Sequence, residues 1–145
     1  MKGINADIFA KIKPFVTAFG SGAVNINTAS KGVLLALGLK ESLVDKVLKF
    51  RQGEDAEERT SDDRTFMDPN TVGAALGAIM EISVPETVAI GNLISVNKLG
   101  TVSTHFRVQS HAVLNKNGAA LDMESVIDLK GKIYYLWTSK IQWLS

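Results

Sequence analysis

The spacing of apolar residues changes period once along this chain, and that change limits the fold more than any other feature. Up to about residue 91 the apolar positions recur every three or four residues, as in Ile8, Ile12 and Phe15, then Val33, Leu34 and Leu37, then Leu43, Val44, Val47 and Leu48, then Val72, Leu76, Ile79 and Met80. From about Leu93 they recur every second residue, as in Phe106, Val108, Ser110, Ala112 and Leu114 set against His105, Arg107, Gln109, His111 and Val113. The first spacing lines one side of a helix and the second lines one side of a strand. Helices followed by strands, without alternation, predict an α+β chain: a helical subdomain over residues 1–91 and an antiparallel sheet subdomain over residues 92–145.

Local punctuation divides these halves further. Pro14 stops the first helix, an Asn27-Thr28 cap opens the second, Gly38 joins it to the third, Asp68-Pro69 supplies the cap and first position of the fourth, and Pro85 opens one more helical turn. In the second half a strand near Leu93 to Val96 leads into the long strand at His105, and Asn117-Gly118 reads as a hairpin turn. The return run places Leu121, Met123, Ser125, Ile127 and Leu129 on one face and Asp122, Glu124 and Asp128 on the other; Gly131 bends the chain into a third strand, Ile133 to Thr138. A meander with one apolar face needs a second layer, either the helical half or a helix upstream of these residues.

Composition excludes several classes. With 145 residues, 46% of them hydrophobic, the chain can bury a core, so disorder is not its main state. The absence of cysteine removes disulfide frames and thiolate sites. No run approaches the roughly 20 apolar residues of a membrane span, and the start, MKGINADIF, lacks the basic-then-apolar order of a secretory signal. A net charge of +1 supplies no global field toward nucleic acid or anionic membrane. Charge is uneven locally: residues 1–52 carry +5, residues 53–65 carry −4, and the remainder is balanced.

The densest motif is VNINTASKGVLLALGLKESLVDKVLKFRQG, Val24 to Gly53. Its capped helix, glycine turn and second helix ending at Arg51 resemble a helix-hairpin-helix, which in DNA-binding members holds phosphate on backbone N–H groups at the second helix's N-terminus. The positions that would do so here are Gly38, Leu39 and Lys40, with Lys40 standing where the second glycine of the usual Gly-x-Gly would be.

The resemblance extends further. IKPFVTAFGSGAVNINTASKGVLLALG is similar to the stretch with which a minor pseudopilin of type II secretion, general secretion pathway protein K, enters its helical domain, where an N-x-N-T-A run follows a Pro-x-V-T strand. LISVNKLGTVSTHFRVQSHAVLNKNGAALDMESVIDL resembles the same family's C-terminal strands, with Ser103, Phe106 and Val108 in the places of its Ser-x-x-Phe-x-Val pattern. Competence-type DNA receptors share the first run but not the second. The resemblance implies a pilin-like sheet with a helical domain inserted in it, and a long N-terminal membrane helix that these residues lack. It implies the periplasmic domain of a bacterial protein anchored in the inner membrane, a non-catalytic tip component that binds other minor pseudopilins and contacts secreted cargo. The alternative is a helix-hairpin-helix DNA-binding protein of the competence-receptor type.

Further sets of residues bear on chemistry. Glu54, Asp55, Glu57, Glu58, Asp62 and Asp63 are hard oxygen donors in a solvated loop and form a calcium candidate, although they lack EF-hand spacing. Pseudopilins are similar to proteins that fasten loops with calcium, which is what the resemblance adds here. His105 and His111 share a strand face roughly 20 Å apart, too far for one metal, and Ser110 points to the other face. With no nucleophile, base and orienting group together, no catalytic residue is assigned and no enzyme is expected. Gly73 and Gly77 read as a close helix contact, Trp137 as core, and Trp143, near the chain end, as either core or a partner-binding residue.

Overall fold

The structure, a computed structural model, describes residues 3–113, 119–139 and 142–143. It is α+β and divides into two compact units, residues 3–17 with 22–102, and residues 18–21 with those from 103 onward. The first unit therefore runs past the expected boundary at 91 to Val102. The cause is α5, Val84–Ser95, which takes up the expected strand at Leu93 to Val96. Ile90 is buried in it, and Ile94 and Leu93 pack against the same core, so its apolar spacing is helical to its end. The long strands begin only at His105.

In the helical unit α1, Ala6–Ile12, is capped by Asn5, and a single 3-10 turn, Lys13–Phe15, carries Pro14. Ile8 and Phe15 remain exposed, so the expected stripe on α1 is not a core face. The short β1, Val24–Asn25, pairs in parallel with β2, Leu99–Gly100, and closes the unit end to end. Between them stand α2, Lys31–Ala36, α3, Glu41–Arg51, a 3-10 turn Pro69–Thr71, α4, Val72–Gly77, and α5. The cap of α2 is Ser30, whose Oγ accepts from the Val33 N–H, and not Asn27-Thr28. The turn to α3 passes through Gly38 at φ +88°, a left-handed conformation that glycine adopts without steric cost. Ile26, Leu34, Leu43, Val44, Val47, Val72 and Leu76 are fully buried, and Phe50 stacks on Phe66 with ring centroids 4.2 Å apart. Ile79 is exposed because α4 ends at Gly77, before the helical spacing reaches it.

Asn27 ties this core to both of its flanks. Its Nδ2 donates to the carbonyls of Phe66 (2.9 Å) and Thr101 (3.0 Å), and its Oδ1 accepts from the Phe66 N–H (2.8 Å). Asn25 closes the preceding turn: its Oδ1 accepts from the Asn27 N–H, and its carbonyl accepts from the N–H groups of Thr28 and Ala29. The two asparagines of the N-x-N-T-A run thus perform different work, one shaping the turn and one joining segments far apart in sequence.

The second unit is an antiparallel sheet in the order β3-β4-β5, with β3 at His105–Val113, β4 at Ala119–Asp128 and β5 at Ile133–Thr138. A short β6, Gln142–Trp143, also pairs with β4, at Ala119 and Ala120. The β3–β4 register is unbroken from His105↔Asp128 to Val113↔Ala120, whereas the β4–β5 register shifts between Val126 and Ile127. The Asn117-Gly118 turn lies outside the described residues. Phe19, in the segment that joins this unit from earlier in the chain, packs on Tyr135 with centroids 6.4 Å apart.

Candidate functional site

The sheet presents two unlike faces. Registration places Phe106, Val108, Ser110 and Ala112 of β3 beside Ile127, Ser125, Met123 and Leu121 of β4, with Ile133, Leu136 and Thr138 of β5 completing the row. This is the apolar face expected from alternation. Its outer strands are open, with Phe106 41%, Leu136 54% and Ile133 56% exposed, whereas Ser125 on the central strand is buried. No helix belongs to this unit among the described residues.

The other face mixes polar pairs with apolar residues: Val126 and Ala120 on it are buried, Val126 lying between Arg107 and Tyr135. His111 Nδ1 lies 2.6 Å from Asp122 Oδ1, Gln109 donates to Glu124 at 3.0 Å, and Arg107 lies 3.7 Å from Glu124. Asp128 accepts from the N–H groups of Lys132 and Lys130 and from the Tyr134 hydroxyl, and these bonds, the Lys132 one foremost, hold its carboxyl below the usual range. Tyr135 and Trp137 stand on this face, and Trp137 is 49% exposed. The expectation that Trp137 is core is therefore wrong, since its strand has no second layer in this unit. Trp143 pairs with Ala119 through its backbone, and its side chain lies outside the described residues.

Histidine chemistry gains nothing from this arrangement. His105 registers with Asp128 and His111 with Asp122, so the two rings stay at opposite ends of β3. Ser110 registers with Met123 on the apolar face, and the Ser139 hydroxyl accepts from the Asp122 N–H. Asp122 and Glu124 are each engaged by side chains of β3.

The turn between α2 and α3 borders a cleft of about 270 Å³ lined by Gly38, Lys40, Ser42, Ser83, Pro85 and Glu86 among others. Lys40 makes no side-chain cap on α3, so the first amides of that helix are not satisfied by a side chain. Glu86 places a carboxylate in the same cleft. It accepts from Lys46 Nζ at 2.8 and 2.9 Å and from the backbone N–H and hydroxyl of Ser83. These bonds, those from Lys46 first, hold the Glu86 carboxyl down to about 2 from its ordinary 4.5. A carboxyl whose folded value is depressed stabilises the fold above its unfolded value and loses that contribution as pH falls toward the folded one. The urea midpoint of the helical unit should therefore decline as pH drops from 4.5 toward 2, and Glu86→Gln should flatten that decline. A decline of equal steepness in the variant would remove Glu86 as its source.

Among the described residues no group of three or more histidine, cysteine or acidic side chains is placed to hold an ion. The reason is local: Asp62 accepts from the N–H groups of Glu54 and Asp55 and from Thr60, and Asp63 accepts from the Arg59 N–H. Those bonds hold the Asp62 carboxyl well below the usual range, with Thr60 contributing most. Glu58 and Glu54 face Arg51 and Arg64, and the Asp55 carboxylate caps the Glu57 N–H. Gly53, at φ +68°, lies so close to Asp62 that a Cβ would press into the Asp62 carboxylate and carbonyl. These acids, a calcium candidate by composition, fold their own loop.

Arg51, Asn27 and Glu86 were not singled out as site residues by sequence reasoning. Arg51 donates to the Ala29 carbonyl at 2.7 Å and anchors the end of α3. For Glu86 a signal was present, since Ser83-Val84-Pro85-Glu86 has the spacing of a capping box. No helix among the described residues is long and apolar enough to cross a membrane. Compared with known proteins, the chain matches no family model, no curated protein and no solved structure.

Proposed function

We propose that this chain is the helical and C-terminal sheet portion of a minor pseudopilin at the tip of a type II secretion pseudopilus, a structural subunit that binds sibling pseudopilins and catalyses no reaction. The observation that supports it best is the open apolar face of the β3-β4-β5 sheet. A sheet with one exposed apolar side lacks a layer. The long N-terminal helix that pseudopilins lay across their sheet is a layer of that kind, and it would also anchor the domain on the periplasmic side of the inner membrane. The degenerate helix-hairpin-helix built on Gly38 then belongs to the inserted helical domain. Siblings would dock against the sheet unit, while the helical unit, too bulky to be stacked over, would end the fibre and meet the cargo. In the source bacterium, deleting the gene should leave type II cargo in the periplasm, and release of cargo at the normal level would contradict the proposal.

One observation favours the DNA-binding alternative: the uncapped α3 N-terminus beside Lys40 and Ser42. Glu86 at the same mouth opposes phosphate. Fluorescence anisotropy with duplex DNA at two salt concentrations separates the readings, because phosphate-led binding weakens steeply with salt. The tip-subunit reading expects no tight binding and no effect of Lys40→Glu. Tight, salt-sensitive binding abolished by that substitution would establish the alternative.

A further inference from the structure

The sheet has an outer edge at β3. Among the described residues β3 pairs with β4 alone, and every residue from Phe106 to Val113 is exposed. A free strand edge is a template for another strand, and proteins usually blunt it with proline, lysine, a bulge or an inward charge. The run HFRVQSHAV has no proline, glycine or lysine, and its register with β4 is unbroken. Arg107 is its one full charge, and it points to the polar face.

We propose that this edge pairs with the same edge of a second copy of the chain, antiparallel about a two-fold axis at Gln109, joining two sheets into one. The inference goes beyond the tip-subunit reading and does not rest on it. The residues of β3 complement themselves across that axis. On the apolar face Phe106 comes opposite Ala112 of the second copy, and Val108 opposite Ser110, so large meets small in every row. On the polar face Arg107 comes opposite His111 of the second copy, which is backed by Asp122 at 2.6 Å, so the guanidinium approaches a carboxylate-bearing pair. Gln109 meets itself, and a primary amide can both donate to and accept from its own copy. This register alone engages all nine residues of β3, and a slip by one residue would set the apolar row against the polar one. The contact is isologous and closes after two copies. One strand edge buries little area, so the dimer should be weak and dependent on concentration.

The chain contains no cysteine, so single thiols report the register directly. Residues directly opposite on paired strands have Cβ atoms close enough for a disulfide. Under mild oxidation Gln109→Cys should form covalent dimer about tenfold faster than Ala112→Cys, because only residue 109 meets its own copy. An equimolar mixture of Val108→Cys and Ser110→Cys should cross-link faster than either alone. In sedimentation the unmodified chain should shift toward dimer with concentration. Gln109→Lys should stay monomeric with unchanged thermal melting, since two lysines would face each other across the axis while each faces Glu124 in its own sheet. Equal cross-linking rates for the variants at 109 and 112, a monomer at every concentration, or dimerisation of Gln109→Lys like that of the unmodified chain would each overturn the proposal.

Discussion

Replacing Asn27 with leucine is expected to lower the stability of the helical unit by about 4 kcal/mol, since the change strips partners from three backbone groups at once. The Phe66 N–H and the Phe66 and Thr101 carbonyls all bond to this one side chain. Each buried backbone group left without a partner costs about 1–3 kcal/mol, and partial access to water offsets some of that here. Asn27→Asp would keep the Phe66 N–H bond but replace a two-fold donor with a carboxylate aimed at two carbonyls, so it should also be severe. Urea denaturation of the two variants checks this. Losses below about 1 kcal/mol would mean that water serves these groups as well as Asn27 does.

Truncations should divide the chain sharply. Leu34→Ala removes a side chain with no exposed surface from the centre of the helical core and should cost about 3 kcal/mol, combining lost transfer energy and the cavity left behind. Leu136→Ala, on a strand residue 54% exposed, should cost well under half of that, because much of its surface already meets water. The comparison bears on function as well as folding. If Leu136→Ala proved as costly as Leu34→Ala, the sheet face would be a closed core, and its reading as an unfinished interface would fail. Both values come from the same denaturation experiment.

The sequence showed the helical core well because the stripe on α3 is regular: Leu43, Val44 and Val47 are spaced by turns and all three are buried. The strand faces were equally readable. Alternation from Phe106 to Ala112 is a statement about period alone, and the register with β4 reproduces it. Boundaries were harder. Leu93 to Val96 is a short apolar run, compatible with either period, and it went to the helix through packing of Leu93 and Ile94 on a core built by distant residues. Trp137 was misplaced for a related reason: an aromatic residue on a strand does not say which face it joins or whether anything covers it, and this one stands opposite Glu124. Asn27 looked like a helix cap because asparagine beside threonine favours caps. Its actual partners, Phe66 and Thr101, are 39 and 74 residues away, beyond any local rule. For the acidic loop, composition counts oxygens, whereas coordination needs several of them turned toward one point, and here backbone N–H groups engage Asp62 and Asp63.

Co-elution of the purified chain with the periplasmic domains of minor pseudopilins from a type II secretion system of the same organism tests the proposed function most directly. The account predicts that the chain shifts with them in size-exclusion chromatography as a stable complex, and that Leu136→Asp, which puts a charge on the open apolar face while leaving the helical unit untouched, weakens it. Separate elution at concentrations where the siblings associate with one another would contradict the claim.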